Sequence, residues 1–232
     1  MISNRFLAIF LSVFSTWALS ANTNISLFKK TSKQWDFVLK VANCNDDELS
    51  PSCEGAGTLD IFNKGRDDLF QRITIKKIGI QLDTTNKTTV NTVTIDDKDN
   101  STLVIDDFNF DNHDDIALLN GYDGGYGSPS YNIYLFDVDK KQFLFSKTLT
   151  VLASEGMGLF DVDKKKRTLT TFMKSGASWS QESTYKVVHN TPMLISDVTK
   201  EYLFNENMLE ITIRNLVEGQ WEISKKKSKF TQ

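Results

Sequence analysis

Tyr131-Asn132-Ile133-Tyr134-Leu135-Phe136-Asp137-Val138, followed by Asp139-Lys140-Lys141 and Gln142-Phe143-Leu144-Phe145-Ser146, is the stretch that decides the fold. Two runs rich in aromatic and aliphatic residues flank three charged ones, the pattern of two antiparallel strands joined by a tight polar turn. The device recurs around Asp163 to Lys166, between Leu159 to Val162 and Arg167 to Met173. Trp35, Phe37, Leu39 and Val41 alternate with polar neighbours, as do Ile73 and Ile75, Ile78, Ile80 and Leu82, and Leu209, Ile211 and Ile213. A period of two buries one face of each segment. Further strands are expected over Glu182 to Val188, Met193 to Ser196, Met208 to Asn215 and Gln220 to Ser224, with Glu218-Gly219 turning the last pair. No segment reads as a convincing helix. The fold class is therefore all-β, an antiparallel β-sandwich or a partial β-propeller-like domain.

Two features along the chain bear on its organisation. Phe136-Asp137-Val138-Asp139-Lys140-Lys141 resembles Phe160-Asp161-Val162-Asp163-Lys164-Lys165, which invites an internal repeat. There is no third full copy, so the plainer account is two turns sharing acidic and basic punctuation. Thr84 to Thr102 is polar and reads as a long hairpin or an exposed loop.

Residues 1–20 have the layout of a secretory signal: Arg5, the apolar run Phe6 to Leu19, and small residues at Ala18 and Ser20 before a cut after Ser20 or Ala21. The run falls short of the roughly 20 residues that cross a bilayer and has no basic stop-transfer flank. No cysteine for a lipid anchor lies near the cut. Residues 21–232 are then expected to form one exported all-β domain, not embedded in the membrane after cleavage. A formal net charge of -3 makes nucleic acid a poor partner. The one dense basic run, Lys225-Lys226-Lys227 with Lys229, reads as a solvated tail.

The chain has two cysteines, Cys44 and Cys53, close together in a polar loop, and an exported protein meets an oxidising compartment. A disulfide is the expected pairing, worth at most about 2–3 kcal/mol because the loop it closes is short. Zinc at this pair would need further nitrogen or sulfur ligands, and the chain has only His113 and His189.

The segment that carries chemistry is Asp107-Phe108-Asn109-Phe110-Asp111-Asn112-His113-Asp114-Asp115-Ile116. Oxygen side chains recur at Asp107, Asn109 and Asp111 and again at Asp115. A loop wound about a cation turns alternate side chains inward, and the carbonyl of His113 fills the gap before Asp115. Three carboxylates and an amide make a hard oxygen set suited to Ca2+, and crowding them costs repulsion that a divalent ion removes. The helix-loop-helix calcium motif does not fit, since Ile116 to Leu119 is strand-like and no bidentate Glu stands in place.

Immediately downstream, Asn120-Gly121-Tyr122-Asp123-Gly124-Gly125-Tyr126-Gly127-Ser128-Pro129-Ser130-Tyr131 is the most glycine-dense part of the chain. Tyr122, Tyr126 and Tyr131 offer rigid amphipathic rings of the kind that anchor interfaces, with Ser128 among them, so this is the candidate partner-binding loop. An ordinary hairpin loop with aromatic bracing is the competing account. A metal site beside this loop would stiffen it and lower the entropy lost on association. Lys174 to Glu182 is a second small-residue loop, with Trp179 as either a surface anchor or a core residue.

At these residues the chain resembles a family of bacterial exported proteins with a single FG-GAP/VCBS-like domain. Its members include immunity proteins that neutralise lysozyme-like effectors delivered by secretion systems. The resemblance covers roughly Leu103 to Val188: the Asp107 to Asp115 loop, the Tyr122 to Tyr131 segment, the Tyr134-Leu135-Phe136-Asp137 strand with its Lys-rich turn, and Trp179 to Tyr185. The family commonly has Gly after the third ligand; here it is Asn112, the next residue most tolerant of a left-handed turn. The resemblance implies a fold related to periplasmic lysozyme inhibitors, calcium in the acidic loop, and a loop inserted into the active site of a peptidoglycan hydrolase. A calcium-stiffened structural or adhesion module is the alternative.

Catalysis is not expected. There is no Gly-x-Ser-x-Gly elbow and no His-Glu-x-x-His pair, and carboxylate pairs such as Asp67-Asp68 read as surface turns.

Overall fold

The computed structural model describes residues 24–28, 32–44, 52–81 and 102–229. The expected signal sequence, and residues 84–101 of the polar segment, lie outside the described residues. Three open antiparallel sheets make up the fold, and the class is all-β. The first sheet is β1 (Asn24–Phe28), β2 (Trp35–Val41), β3 (Ser52–Asn63) and β4 (Leu69–Gln81). The second is β5 (Leu103–Asp106), β6 (Asp115–Gly121), β7 (Ser130–Asp137) and β8 (Gln142–Phe145). A helix, α1 (Lys147–Glu155), leads to the third: β9 (Asp161–Asp163), β10 (Thr168–Ser175), β11 (Trp179–Val188), β12 (Thr191–Leu203), β13 (Met208–Val217) and β14 (Gln220–Lys229). Within each sheet every strand pairs with its neighbour in sequence, so hairpin turns alone set the order.

Alternation in β2 works as its sequence predicts: Trp35, Phe37, Leu39 and Val41 are all buried. In β6, by contrast, Ile116, Ala117, Leu118 and Leu119 are buried in succession, because both faces of that strand are covered. First and second sheets are joined at Gln71 on β4. Its amide donates to the Phe143 carbonyl at 2.9 Å and accepts from the Phe143 N–H at 2.7 Å, as a neighbouring strand would. Trp35 lies beside this joint, 4.6 Å from the Phe70 ring and 5.5 Å from that of Phe143. Gly57 in β3 is required by close approach: a Cβ there would come within 2.6 Å of the Lys40 carbonyl oxygen.

Two buried acids, Asp60 and Asp197, are matched to arginines across strands. Asp60 on β3 accepts hydrogen bonds from Arg72 on β4 and Lys40 on β2, and the Arg72 guanidinium holds its carboxyl below the usual range. Asp197 on β12 pairs in register with Arg214 on β13, whose guanidinium also lies 5.4 Å from the Trp221 ring.

Three expectations are corrected. First, α1 exists. Ser146 caps it by accepting from the Leu149 N–H at 3.4 Å, and Leu149, Leu152 and Ala153 are its buried stripe. Thr150 pins it to β7 by accepting from the Ile133 N–H at 2.9 Å. Second, the Lys225 to Lys229 run is not a tail. It lies in β14, the edge strand of the third sheet, where exposed lysines discourage edge-to-edge pairing. Lys225 and Lys227 reach across to Glu210 and Glu206. Third, Tyr131 belongs to the core, as described below.

The apparent repeat resolves as turn chemistry. Asp137 accepts from the Lys140 N–H and Asp163 from the Lys166 N–H, and each turn ends on a left-handed residue, Lys141 (φ 50) and Arg167 (φ 56). Asp137 and Asp163 are therefore the equivalent turn residues, two positions out of step with the sequence likeness, which aligns Asp137 with Asp161.

Candidate functional site: an acidic loop and a tyrosine loop at opposite ends of β6

The acidic loop leaves β5 at Asp106 and enters β6 at Asp115, which face each other in the ladder. Between them Phe108 and Phe110 turn into the core, Phe108 meeting Phe160 edge-on at 5.5 Å. The oxygen-bearing residues at 107, 109 and 111 consequently turn outward. Asp107 accepts from the main-chain N–H groups of Asp111 (3.0 Å) and Asn112 (2.8 Å), and Asp111 from that of His113 (2.9 Å). Phe110 (φ 63) and Asn112 (φ 69) are left-handed. The tolerance expected of Asn112 is thus used, while Phe110 holds that conformation through its buried ring and through the Arg167 guanidinium bonded to its carbonyl.

Asp115 is fully buried. Its carboxylate accepts from the Phe108 N–H at 2.8 Å and the Phe136 N–H at 2.9 Å. Burial pushes its pKa up to about 8, the nearby Asp111 and Asp107 charges add to that, and the two N–H donors oppose it. Lys164 approaches the loop from the β9–β10 turn, 2.6 Å from Asp106, and this pairing holds its amine above the ordinary range. The His113 ring stacks on Phe136, with Nδ1 3.2 Å from Asp111.

The loop is also a joint. Asp114 accepts from the Ser32 hydroxyl at 2.7 Å, which ties it to the start of β2. The Asn109 amide donates to Asn190 in the β11–β12 turn at 3.0 Å, which ties it to the third sheet. All three sheets therefore meet there.

Among the described residues no three His, Cys, Asp or Glu side chains converge closely enough to hold a metal by themselves. A cation at this loop would have to draw on the Asn109 amide and main-chain carbonyls as well as on carboxylates. Such a set has oxygen donors only, and a carboxylate accepting one or two N–H bonds keeps lone pairs to spare. By donor chemistry the loop fits a hard cation such as calcium.

At the far end of β6 the chain enters the glycine-rich loop. The two loops are separated by the length of the strand, roughly 20 Å from its rise per residue. They do not adjoin, so the stiffening expected from a metal beside the tyrosines has no direct contact to act through. The loop is instead fastened locally. Gly124 N–H donates to the Ser128 carbonyl and Gly125 N–H to the Gly156 carbonyl, both at 3.0 Å. A Cβ on Gly124 would lie 2.8 Å from the Ser128 oxygen and 3.1 Å from that of Gly156, so only glycine fits.

Within this frame the predicted anchors separate. Tyr126, in the 3-10 turn Gly125–Gly127, is left-handed (φ 59) and 66% exposed. Its hydroxyl accepts from the Gly176 N–H at 2.5 Å, and the Lys174 ammonium lies 5.5 Å from its ring centre. Tyr122 is exposed at 38% and edges a cleft of about 240 Å³ shared with Cys53, Glu54, Lys77 and Asp123. Ser128 is half-buried and works through its main chain to close the loop. Tyr131 is completely buried, so it braces the core and does not face a partner. Trp179, at the start of β11, is half-buried. Lys174 and Gly176 belong to the second small-residue loop, where Trp179 is the expected candidate; nothing local to them signals that they meet a loop 50 residues away.

Cys44 and Cys53 form the expected disulfide, with S–S 2.10 Å. No helix among the described residues is long and apolar enough to cross a membrane.

No protein-family model matches the chain, and no curated protein sequence matches it. Among solved structures, it is similar to a Xanthomonas type IV secretion system related protein, with a TM-score of 0.64 at 20% identity over 89% of this chain and 94% of the other. At that identity the likeness shows a shared fold.

Proposed function

We propose that this is a periplasmic inhibitor or immunity protein that neutralises a peptidoglycan-degrading, lysozyme-like enzyme by placing the tyrosine loop in its active-site cleft. The observation that carries the reading is Tyr126. A large aromatic ring stands exposed at the tip of a loop whose backbone is already fixed, so little conformational entropy is lost when it is buried by a partner. Tyr122 supports it from the base of the loop. The fold likeness to a secretion-system-related protein is compatible with an effector-and-immunity setting, and the Cys44–Cys53 disulfide is compatible with an oxidising compartment.

The acidic loop takes calcium in this reading, held by Asp107, Asn109, Asp111, the His113 carbonyl and Asp115. The ion would supply positive charge to a crowded carboxylate set. The chain's own part is to tie that loop to Ser32 and Asn190, so that order there fixes all three sheets and, through β6 and β7, the base of the tyrosine loop.

The test is inhibition of peptidoglycan lysis by purified muramidases. Wild-type protein should inhibit at least one of them stoichiometrically, and Tyr126→Ala should lose most of that inhibition while melting at the same temperature. A calcium-stiffened structural module predicts no inhibition by either protein.

A further inference from the structure

The brace on Tyr126 comes from the third sheet, and it brings a charge with it. Lys174 is exposed near the end of β10, and Gly176 lies in the turn that follows. The Gly176 N–H donates to the tyrosine hydroxyl while the Lys174 ammonium lies over the tyrosine ring. The two segments are also stitched behind the tip, by Gly125 N–H to the Gly156 carbonyl and Met157 N–H to the Phe172 carbonyl at 2.9 Å. Phe172, two residues before Lys174 and hence on the same face of β10, is 48% exposed. In the two charged turns after β7 and β9, Lys140, Lys164 and Lys166 each lean on a carboxylate. Among the described residues no carboxylate pairs with Lys174, and the Asp123 carboxylate on the loop is turned back onto Gly121.

We propose that the β10–β11 hairpin and the tyrosine loop form one recognition surface, in which Lys174 is the cation that meets carboxylates lining the partner's cleft. This rests on the inhibitor reading and names the chemistry of the partner. Glycoside hydrolysis uses a pair of carboxyl groups flanking the scissile bond, so the cleft of a muramidase presents negative charge where an inserted loop ends. An ammonium held over an aromatic ring is placed in advance, and its charge stays available because the ring offers only a face. Charge complementarity therefore selects an acidic cleft over an apolar groove.

The experiment compares wild type, Lys174→Met, Lys174→Arg, Lys174→Glu and Tyr126→Ala in inhibition and binding of purified lysozymes across a salt series. Lys174→Met should weaken binding about tenfold at low salt and flatten its salt dependence. Lys174→Glu should weaken it further, and Lys174→Arg should restore most of it. Thermal melts of the exposed-site variants should coincide with wild type; if Lys174→Met melts lower, retention by Lys174→Arg still separates charge from folding. If Tyr126→Ala loses inhibition while Lys174→Met and Lys174→Glu keep both affinity and salt slope, the shared surface is wrong and the loop assignment stands. If Tyr126→Ala also inhibits normally, or no lysozyme is inhibited by wild type, both readings fall.

Discussion

Asp115 and Phe136 are joined by a hydrogen bond of 2.9 Å from the Phe136 N–H to a carboxylate that solvent does not reach. The second oxygen of the same carboxylate takes the Phe108 N–H. One side chain thus satisfies two main-chain donors from different strands or loops. Asp115→Ala leaves both without an acceptor, at about 1–3 kcal/mol each. Denaturant melts should show a loss of about 2–6 kcal/mol, with Asp115→Asn intermediate because its amide keeps one acceptor oxygen. Equal stability of the alanine variant would mean that water or a shifted backbone replaces the carboxylate.

Calcium should raise the melting temperature, and chelation should reverse the rise. At a free concentration 100 times the dissociation constant the gain is about 2.7 kcal/mol. Asp111→Ala should abolish the response while leaving the metal-free melt nearly unchanged, since Asp111 is exposed. An identical melt with and without calcium for wild type would remove the metal from the account.

Acid should unfold the protein partly through Asp60. Its folded pKa is depressed by Arg72, so its contribution to stability is complete above the ordinary carboxylate pKa. It is lost as pH falls through the lower folded value. Asp60→Asn should therefore flatten the acid limb of a stability profile below about pH 4. A limb of unchanged slope would assign acid sensitivity to other groups.

Gly124→Ala should separate function from folding. The added methyl meets two carbonyl oxygens, so the loop must shift and Tyr126 with it. Inhibition should fall severalfold, with a melting temperature close to wild type because the loop lies outside the core. Full inhibition by this variant would show that the loop's detailed shape is not used.

Much of the fold was legible because its strands are written locally. The alternation of Trp35 to Val41 and the turn after Asp137 each state their own conformation. The helix was hidden because Thr148, Thr150 and Val151 favour strands, and only the Ser146 cap with Leu149, Leu152 and Ala153 betrays it. Tyr131 and Tyr126 come from the same glycine-rich stretch, but Tyr131 is buried in β7 and Tyr126 stands exposed in the 3-10 turn. The separation of the two loops was within reach of the sequence. Ile116 to Leu119 already read as a strand, and a strand puts distance between whatever lies at its ends. What no local pattern carried is the pairing of Tyr126 with Gly176 and Lys174, which depends on how β10 meets the second sheet.

The most direct test is the inhibition constant of wild type and Tyr126→Ala against a purified lysozyme that the wild type inhibits, read from the rate of cell-wall lysis. The account predicts a loss of about 30-fold or more on removing the ring, as for a central interface anchor worth about 2 kcal/mol. Equal inhibition by both proteins, with both fully folded, would contradict it.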